Sequence, residues 1–149
     1  MDDRYRSAVL FVASQLVFLA AVIHLFIGAQ KWSQYASYGI LVPPDIRWPL
    51  FVASGVAVIA GIGLARQSSR PDRWYLAGAV TMVGFVGAYF LWDLAGHRPL
   101  FVVGPGTGQE VSVGSMIGHY LAGPLETVTL TVELLAAVLL SVLYVDSRE

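Results

Sequence analysis

Charge is missing from this chain in long blocks. Residues 7–30 contain no Asp, Glu, Lys or Arg, and the same holds for residues 48–65 and 74–92. A helix rises about 1.5 Å per residue and the hydrocarbon core of a bilayer is about 30 Å thick, so runs near 20 residues are of membrane-crossing length. A fourth run, residues 120–145, is interrupted by Glu126 and Glu133 and is otherwise as apolar. Lipid offers the backbone no hydrogen-bond partner, which leaves the helix as the spanning form for such runs. The expected fold is an all-α membrane protein. It is an antiparallel bundle of four transmembrane helices forming one domain over residues 1–149, with spans near 7–30, 48–65, 74–95 and 120–145. Outer loops then cover 31–47 and 96–119. Arg4 and Arg6 ahead of the first run resemble the start of a signal peptide, but 24 charge-free residues exceed the usual apolar core of roughly 7 to 15.

Composition narrows the function classes. Only 13% of the 149 residues are charged, against about 25% in soluble domains, and 56% are hydrophobic. Nine Lys plus Arg against ten Asp plus Glu leave no basic surplus to neutralise phosphates, so no nucleic-acid partner is expected. The absence of cysteine excludes disulfides, thiolate metal sites, iron–sulfur clusters and thiol catalysis.

Basic residues flanking spans favour the cytoplasmic side. Arg4, Arg6, Arg66, Arg70, Arg73 and Arg148 fall on one side, and Lys31, Arg47 and Arg98 on the other. This asymmetry predicts a multi-pass protein of the cell membrane with both termini cytoplasmic. Trp32, Trp48 and Trp92 then stand at the outer interface and Trp74 at the inner one, as an aromatic belt requires. In the second outer loop, Gly104-Pro105-Gly106-Thr107-Gly108 has the composition of a phosphate loop but lacks its Lys-Ser/Thr ending, and reads as plain loop. Residues 111–123, apolar, glycine-containing and followed by Pro124, are expected to lie along the interface or re-enter.

Helices in lipid associate through close backbone packing at small side chains. Ala53, Ala57, Gly61 and Ala65 recur every fourth residue and form one such stripe; Gly84 with Gly87 and Ala88, and Ala137 with Ser141, offer others. The stripe on the second span serves either intramolecular packing or a second copy facing it across lipid.

Ionisable groups inside spans are costly and usually face a bundle interior or cavity. In the expected orientation they all fall in the outer half. His24 lies six residues inside the outer end of span one, Asp93 ends span three with His97 four residues on, and His119 precedes span four. Glu126, Thr129 and Glu133 share one helical face, as do Tyr89, Asp93 and His97 if the third helix extends that far. Turned inward, these faces would set His24, Asp93, His97 and Glu126 around one cavity as candidate ligands for a divalent transition metal. His24, His97 and His119 are the candidate axial ligands for a haem or contacts for another cofactor. Glu133, with no Lys or Arg in any span, is the candidate buried acid or proton relay. It should be protonated, or bound to a cation or to a donor such as His24, Gln15 or a threonine. The bland alternatives are a His24 hydrogen-bonded to a neighbouring helix, solvated His97 and His119, and Asp93 paired with Arg98.

Phe26-Ile27-Gly28-Ala29-Gln30-Lys31-Trp32 closing span one, the proline-containing loop and the glycine-rich residues 52–64 resemble the DoxX-like membrane proteins over roughly the first half of the chain. The resemblance implies a four-helix fold and a link to quinone-dependent redox complexes. Tyr89-Phe90-Leu91-Trp92-Asp93-Leu94-Ala95-Gly96-His97 is similar to segments of uncharacterised small archaeal membrane proteins, which imply no activity.

Three functions follow. The first is a non-catalytic accessory or scaffold subunit, partnered by the lipid bilayer and by membrane-complex subunits or further copies of itself; no complete catalytic constellation is present. The second is proton- or metal-linked transport or sensing through the outer His/carboxylate cluster. The third is a redox component binding quinone or haem b.

Overall fold

The computed structural model describes residues 1–98 and 112–148. Among these residues the chain is all-helical, with five helices: α1 (Asp3–Ser37), α2 (Arg47–Gln67), α3 (Pro71–Leu94), α4 (Val113–Ala122) and α5 (Pro124–Asp146). Four of them, α1, α2, α3 and α5, are long and apolar enough to cross a membrane. The Gly104 to Gly108 run lies outside the described residues.

Local chemistry sets the helix ends. The Asp2 carboxylate accepts from the Tyr5 N–H at 3.0 Å and caps α1. Pro71 and Pro124 open α3 and α5, where a missing N–H costs nothing. α1 is 35 residues long and runs past the charge-free block into the expected outer loop. It stops at Ser37, and Gly39, with φ 79°, turns the chain so that the Gly39 and Ile40 N–H groups reach back to the Ala36 and Tyr35 carbonyls. The expected fourth span begins later than its apolar run. Ser112 and Ser115 form a reciprocal cap that starts the ten-residue α4, too short to cross a bilayer, and extended backbone at Gly123 followed by Pro124 separates it from α5. Thr127 Oγ1 donates to the Tyr120 carbonyl at 2.7 Å, and the Tyr120 hydroxyl meets Thr131 Oγ1 at 2.9 Å, tying α4 to α5.

The core is a seam of small and branched residues where α1, α3 and α5 meet: Ala13, Val17 and Ala20 from α1, Ala79 and Met82 from α3, and Val132, Ala136, Leu140 and Leu143 from α5. The large apolar side chains point outward instead; Phe11, Phe26, Val80, Leu91 and Val138 are each more than half exposed. Water does not tolerate an apolar surface so extensive, whereas lipid does.

Of the small-residue sites expected, Ala137 on α5 lies in the core, whereas those on α2 and α3 are not contact points. Ala53 and Ala57 are exposed, and a Cβ on Gly61 would meet nothing closer than Trp74 at 3.9 Å. Gly84 and Gly87 have open space beside them. The close approach between α1 and α2 occurs at Gly55, where a Cβ would stand 2.5 Å from Leu25 Cγ and 2.8 Å from the Ala21 carbonyl, and at Gly28, 2.8 Å from the Trp48 carbonyl. On α3, Gly78 receives Leu140 of α5. The correction has a simple cause: residues 53, 57, 61 and 65 lie on one side of α2, and α1 packs against another.

Candidate functional site

Asp93 lies in the last turn of α3 and is 7% exposed. His97 does not continue that helix, as the shared-face expectation required. The helix ends at Leu94, Gly96 adopts φ 71°, and the Gly96 and His97 N–H groups bond back to the Asp93 and Trp92 carbonyls at 3.0 and 3.1 Å. His97 itself has φ 58°, rare for a residue with a side chain. This left-handed turn folds the chain back over the helix end and sets His97 Nε2 2.5 Å from Asp93 Oδ1. His119, on α4, brings Nδ1 to 2.8 Å from the same oxygen. The two imidazole nitrogens are 3.2 Å apart.

Proton bookkeeping shows what this triangle can hold. If both imidazoles donate to Asp93 Oδ1, two N–H groups face each other across 3.2 Å, an unfavourable contact. A metal ion in place of those protons meets three lone pairs at once. Ligands at the usual ~2.0–2.1 Å from a tetrahedral ion stand roughly 3.3 Å from one another, close to the separation of the two nitrogens. Two His and one carboxylate leave at least one coordination position open, and they suit zinc or iron(II). Among the described residues, Asp93, His97 and His119 are the group of three that can converge on one ion.

Aromatic rings surround the cluster. The Trp92 ring lies 4.3 Å from His97 and 6.0 Å from His119, and Tyr89 lies 5.9 Å from His119, centroid to centroid. The Trp92 indole N–H and the Tyr89 hydroxyl are buried without a hydrogen-bond partner among the described residues, as is the Trp48 indole N–H. The Arg47 guanidinium lies 3.8 Å from the Trp92 ring centre and 4.7 Å from that of Trp48, and is held at 2.5 Å by the buried Asp45. Asp93 therefore pairs with two histidines, and the expected alternative of an Asp93–Arg98 pair is not formed.

His24 belongs to a second, separate group. Its Nδ1 donates to the Ala20 carbonyl at 3.0 Å, since that oxygen can only accept, and this fixes Nε2 as the atom facing Glu133 Oε1 at 3.6 Å. Glu133 is 2% exposed and His24 5%. Phe51 and Phe85 flank the imidazole at 4.8 and 4.4 Å. Gln15, a proposed donor to Glu133, is exposed on the far side of α1. Glu126 sits in the first turn of α5, half-buried, and joins neither group.

The single cavity expected around His24, Asp93, His97 and Glu126 is thus two sites. His119, read only as a cofactor contact, takes the place given to His24 beside Asp93, because α4 folds back over the end of α3. The trio His24, His97 and His119 is not gathered either, so the axial pairing of His24 with an outer histidine is not assembled. The signal that could have placed His119 on a helix, not drawn on above, is the Ser112-Val113-Gly114-Ser115 cap, a helix start seven residues before it. No family model, curated protein or solved structure matches this chain.

Proposed function

We propose that this chain is a multi-pass protein of the cell membrane that holds a divalent transition metal ion at Asp93, His97 and His119. The observation that carries this reading is the convergence of three ligand atoms, from the end of α3, the turn that follows it and α4, within 2.5 to 3.2 Å of one another. Its four long helices run antiparallel with both termini cytoplasmic, which sets the metal ligands at the outer face. The contact of the Met1 amine with Asp146 at 2.8 Å supports a shared side for the two ends, and the basic-residue asymmetry supports the cytoplasm as that side. His119 is about one third exposed, so an ion can enter from outside and an open coordination position can exchange. Such a site serves metal-linked sensing or transport.

A second reading, a scaffold or accessory subunit, is favoured by the exposed Ala53 and Ala57, where a partner helix can approach closely. Elemental analysis of protein purified without chelator, with a visible spectrum, separates the two. The metal reading requires about one equivalent of metal that Asp93→Asn and His119→Ala remove. Metal-free protein, with no uptake of added zinc, leaves the scaffold reading. A Soret band would instead demonstrate haem.

A further inference from the structure

Arg73 lies twenty residues before Asp93 on α3, about 30 Å away by the helical rise. At that end of the molecule a cavity of about 580 Å³ opens between the start of α3 and the end of α5. Arg70 enters it from just before α3, Arg73 from the first turn of α3 and Arg148 from beyond α5, with Tyr144, Ser147 and Leu76 completing the walls and Asp72 the one acid among these described residues. Among the described residues that line it, three guanidinium groups against one carboxylate give an excess of two positive charges, in a chain whose formal net charge is −1.

Among the described residues no carboxylate forms an ion pair with these arginines. Among the described residues the carboxylates that pair with cations are Asp45, Asp93, Glu133 and Asp146, and their partners are Arg47, the histidines, Arg6 and the Met1 amine. Arg148 is oriented by donating to the Tyr144 hydroxyl at 2.8 Å, with its guanidinium 5.6 Å from the same ring. α3 begins in the cavity wall with no side-chain cap on its first turn, so its free N–H groups add a further positive pole. Planar guanidinium forks and open helix N–H groups are the donors that recognise a tetrahedral oxyanion. The Leu76 side and the Tyr144 ring give the same hollow an apolar flank.

We propose that this cavity binds a phosphate group, held by Arg70, Arg73 and Arg148 at the start of α3. The phosphate of an anionic lipid headgroup fits the mixed arginine and apolar lining, and free inorganic phosphate shares the charged part of that chemistry. The site is independent of the metal ligands; only its lipid source depends on the membrane setting of the helices.

The test uses the full chain purified in zwitterionic detergent. Native mass spectrometry measures retention of dioleoylphosphatidylglycerol against dioleoylphosphatidylcholine, and calorimetry measures inorganic phosphate. Arg70 and Arg73 are exposed, so R70Q and R73Q fold; R66Q, a basic change on α2 outside the cavity, is the control. Phosphatidylglycerol is expected to be retained in preference to phosphatidylcholine, with about a fivefold loss for each cavity arginine replaced and none for R66Q. Phosphate binding with the same dependence, and no preference between the lipids, assigns the site to the free ion. Equal loss in R66Q and R73Q, or binding of neither probe that depends on the three arginines, overturns the proposal.

Discussion

Asp93 and His97 are four residues apart, a helical spacing, yet a left-handed turn brings His97 Nε2 to 2.5 Å from Asp93 Oδ1. The helix has already ended at Leu94, and Gly96 reverses the chain so that His97 returns over the helix terminus to the face His119 reaches from α4. Two histidines from different segments then share one carboxylate oxygen. A helical continuation would have kept His97 on the α3 surface, a turn beyond Asp93.

Metal affinity should depend on this arrangement residue by residue. His119→Ala and Asp93→Asn are expected to weaken zinc binding by more than the ~10- to 100-fold typical of losing a group that only hydrogen-bonds to a ligand, read by competition with a chromophoric chelator. His24→Ala should leave the affinity within twofold or so, because His24 faces Glu133 instead. Equal loss in His24→Ala and His119→Ala would return His24 to the metal site.

The turn itself should matter as much as the ligands. Gly96 holds φ 71°, where a Cβ costs roughly 1–2 kcal/mol. Gly96→Ala is therefore expected to lower zinc affinity by about tenfold, through the displaced His97, while far-ultraviolet circular dichroism stays unchanged. Unaltered affinity would mean that the ligands assemble without the turn.

Packing separates two glycines on the same helix. Gly55→Ala drives a methyl into Leu25 and the Ala21 carbonyl, and should cost about 1–3 kcal/mol of stability in detergent. Gly61→Ala meets only Trp74 at 3.9 Å and should gain up to about 1 kcal/mol from helix propensity. Thermal melts that rank the two variants the other way would place the α1–α2 contact elsewhere.

His24 and Glu133 should be energetically coupled. Glu133→Gln keeps the volume and a donor for His24 Nε2, so its melting point should stay near that of the unaltered protein. Glu133→Ala leaves a void in a side chain's place at 2% exposure and should cost roughly 2–4 kcal/mol. A double-mutant cycle with His24→Ala should give a coupling of about 1 kcal/mol, and a value near zero would mark the 3.6 Å approach as contact without interaction.

Orientation is checked by labelling. Single cysteines introduced at Ser69 and Gly106 should react with an impermeant maleimide from opposite sides of the membrane, Gly106 from outside. Labelling of Gly106 only from the cytoplasmic side would reverse the orientation.

Four helices long and apolar enough to cross a membrane were legible in the sequence, because a backbone in lipid has one way to satisfy its hydrogen bonds and charge-free length reports it, whereas α4 was not. Asp93, His97, His119, His24 and Glu133 also stood out, since ionisable groups in apolar runs are expensive wherever they face. Their grouping was not legible. A helix in water advertises its buried face by polar residues on the other, but here Phe11, Val80 and Val138 are apolar and outward while Ala13, Ala79 and Ala137 are apolar and inward, so periodicity carries no facing information. The rotation of each helix is set by where the helices come closest, at Gly28 and Gly55, which meet backbone carbonyls, and at Gly78, which receives the Leu140 side chain, and that rotation sends His24 to Glu133. Two local breaks decided the rest: the left-handed turn at Gly96 and the extended Gly123 before Pro124, which fold His97 and α4 back onto Asp93. Sequence supplied the residues that can bind; the closest backbone contacts and two turns decided which of them meet.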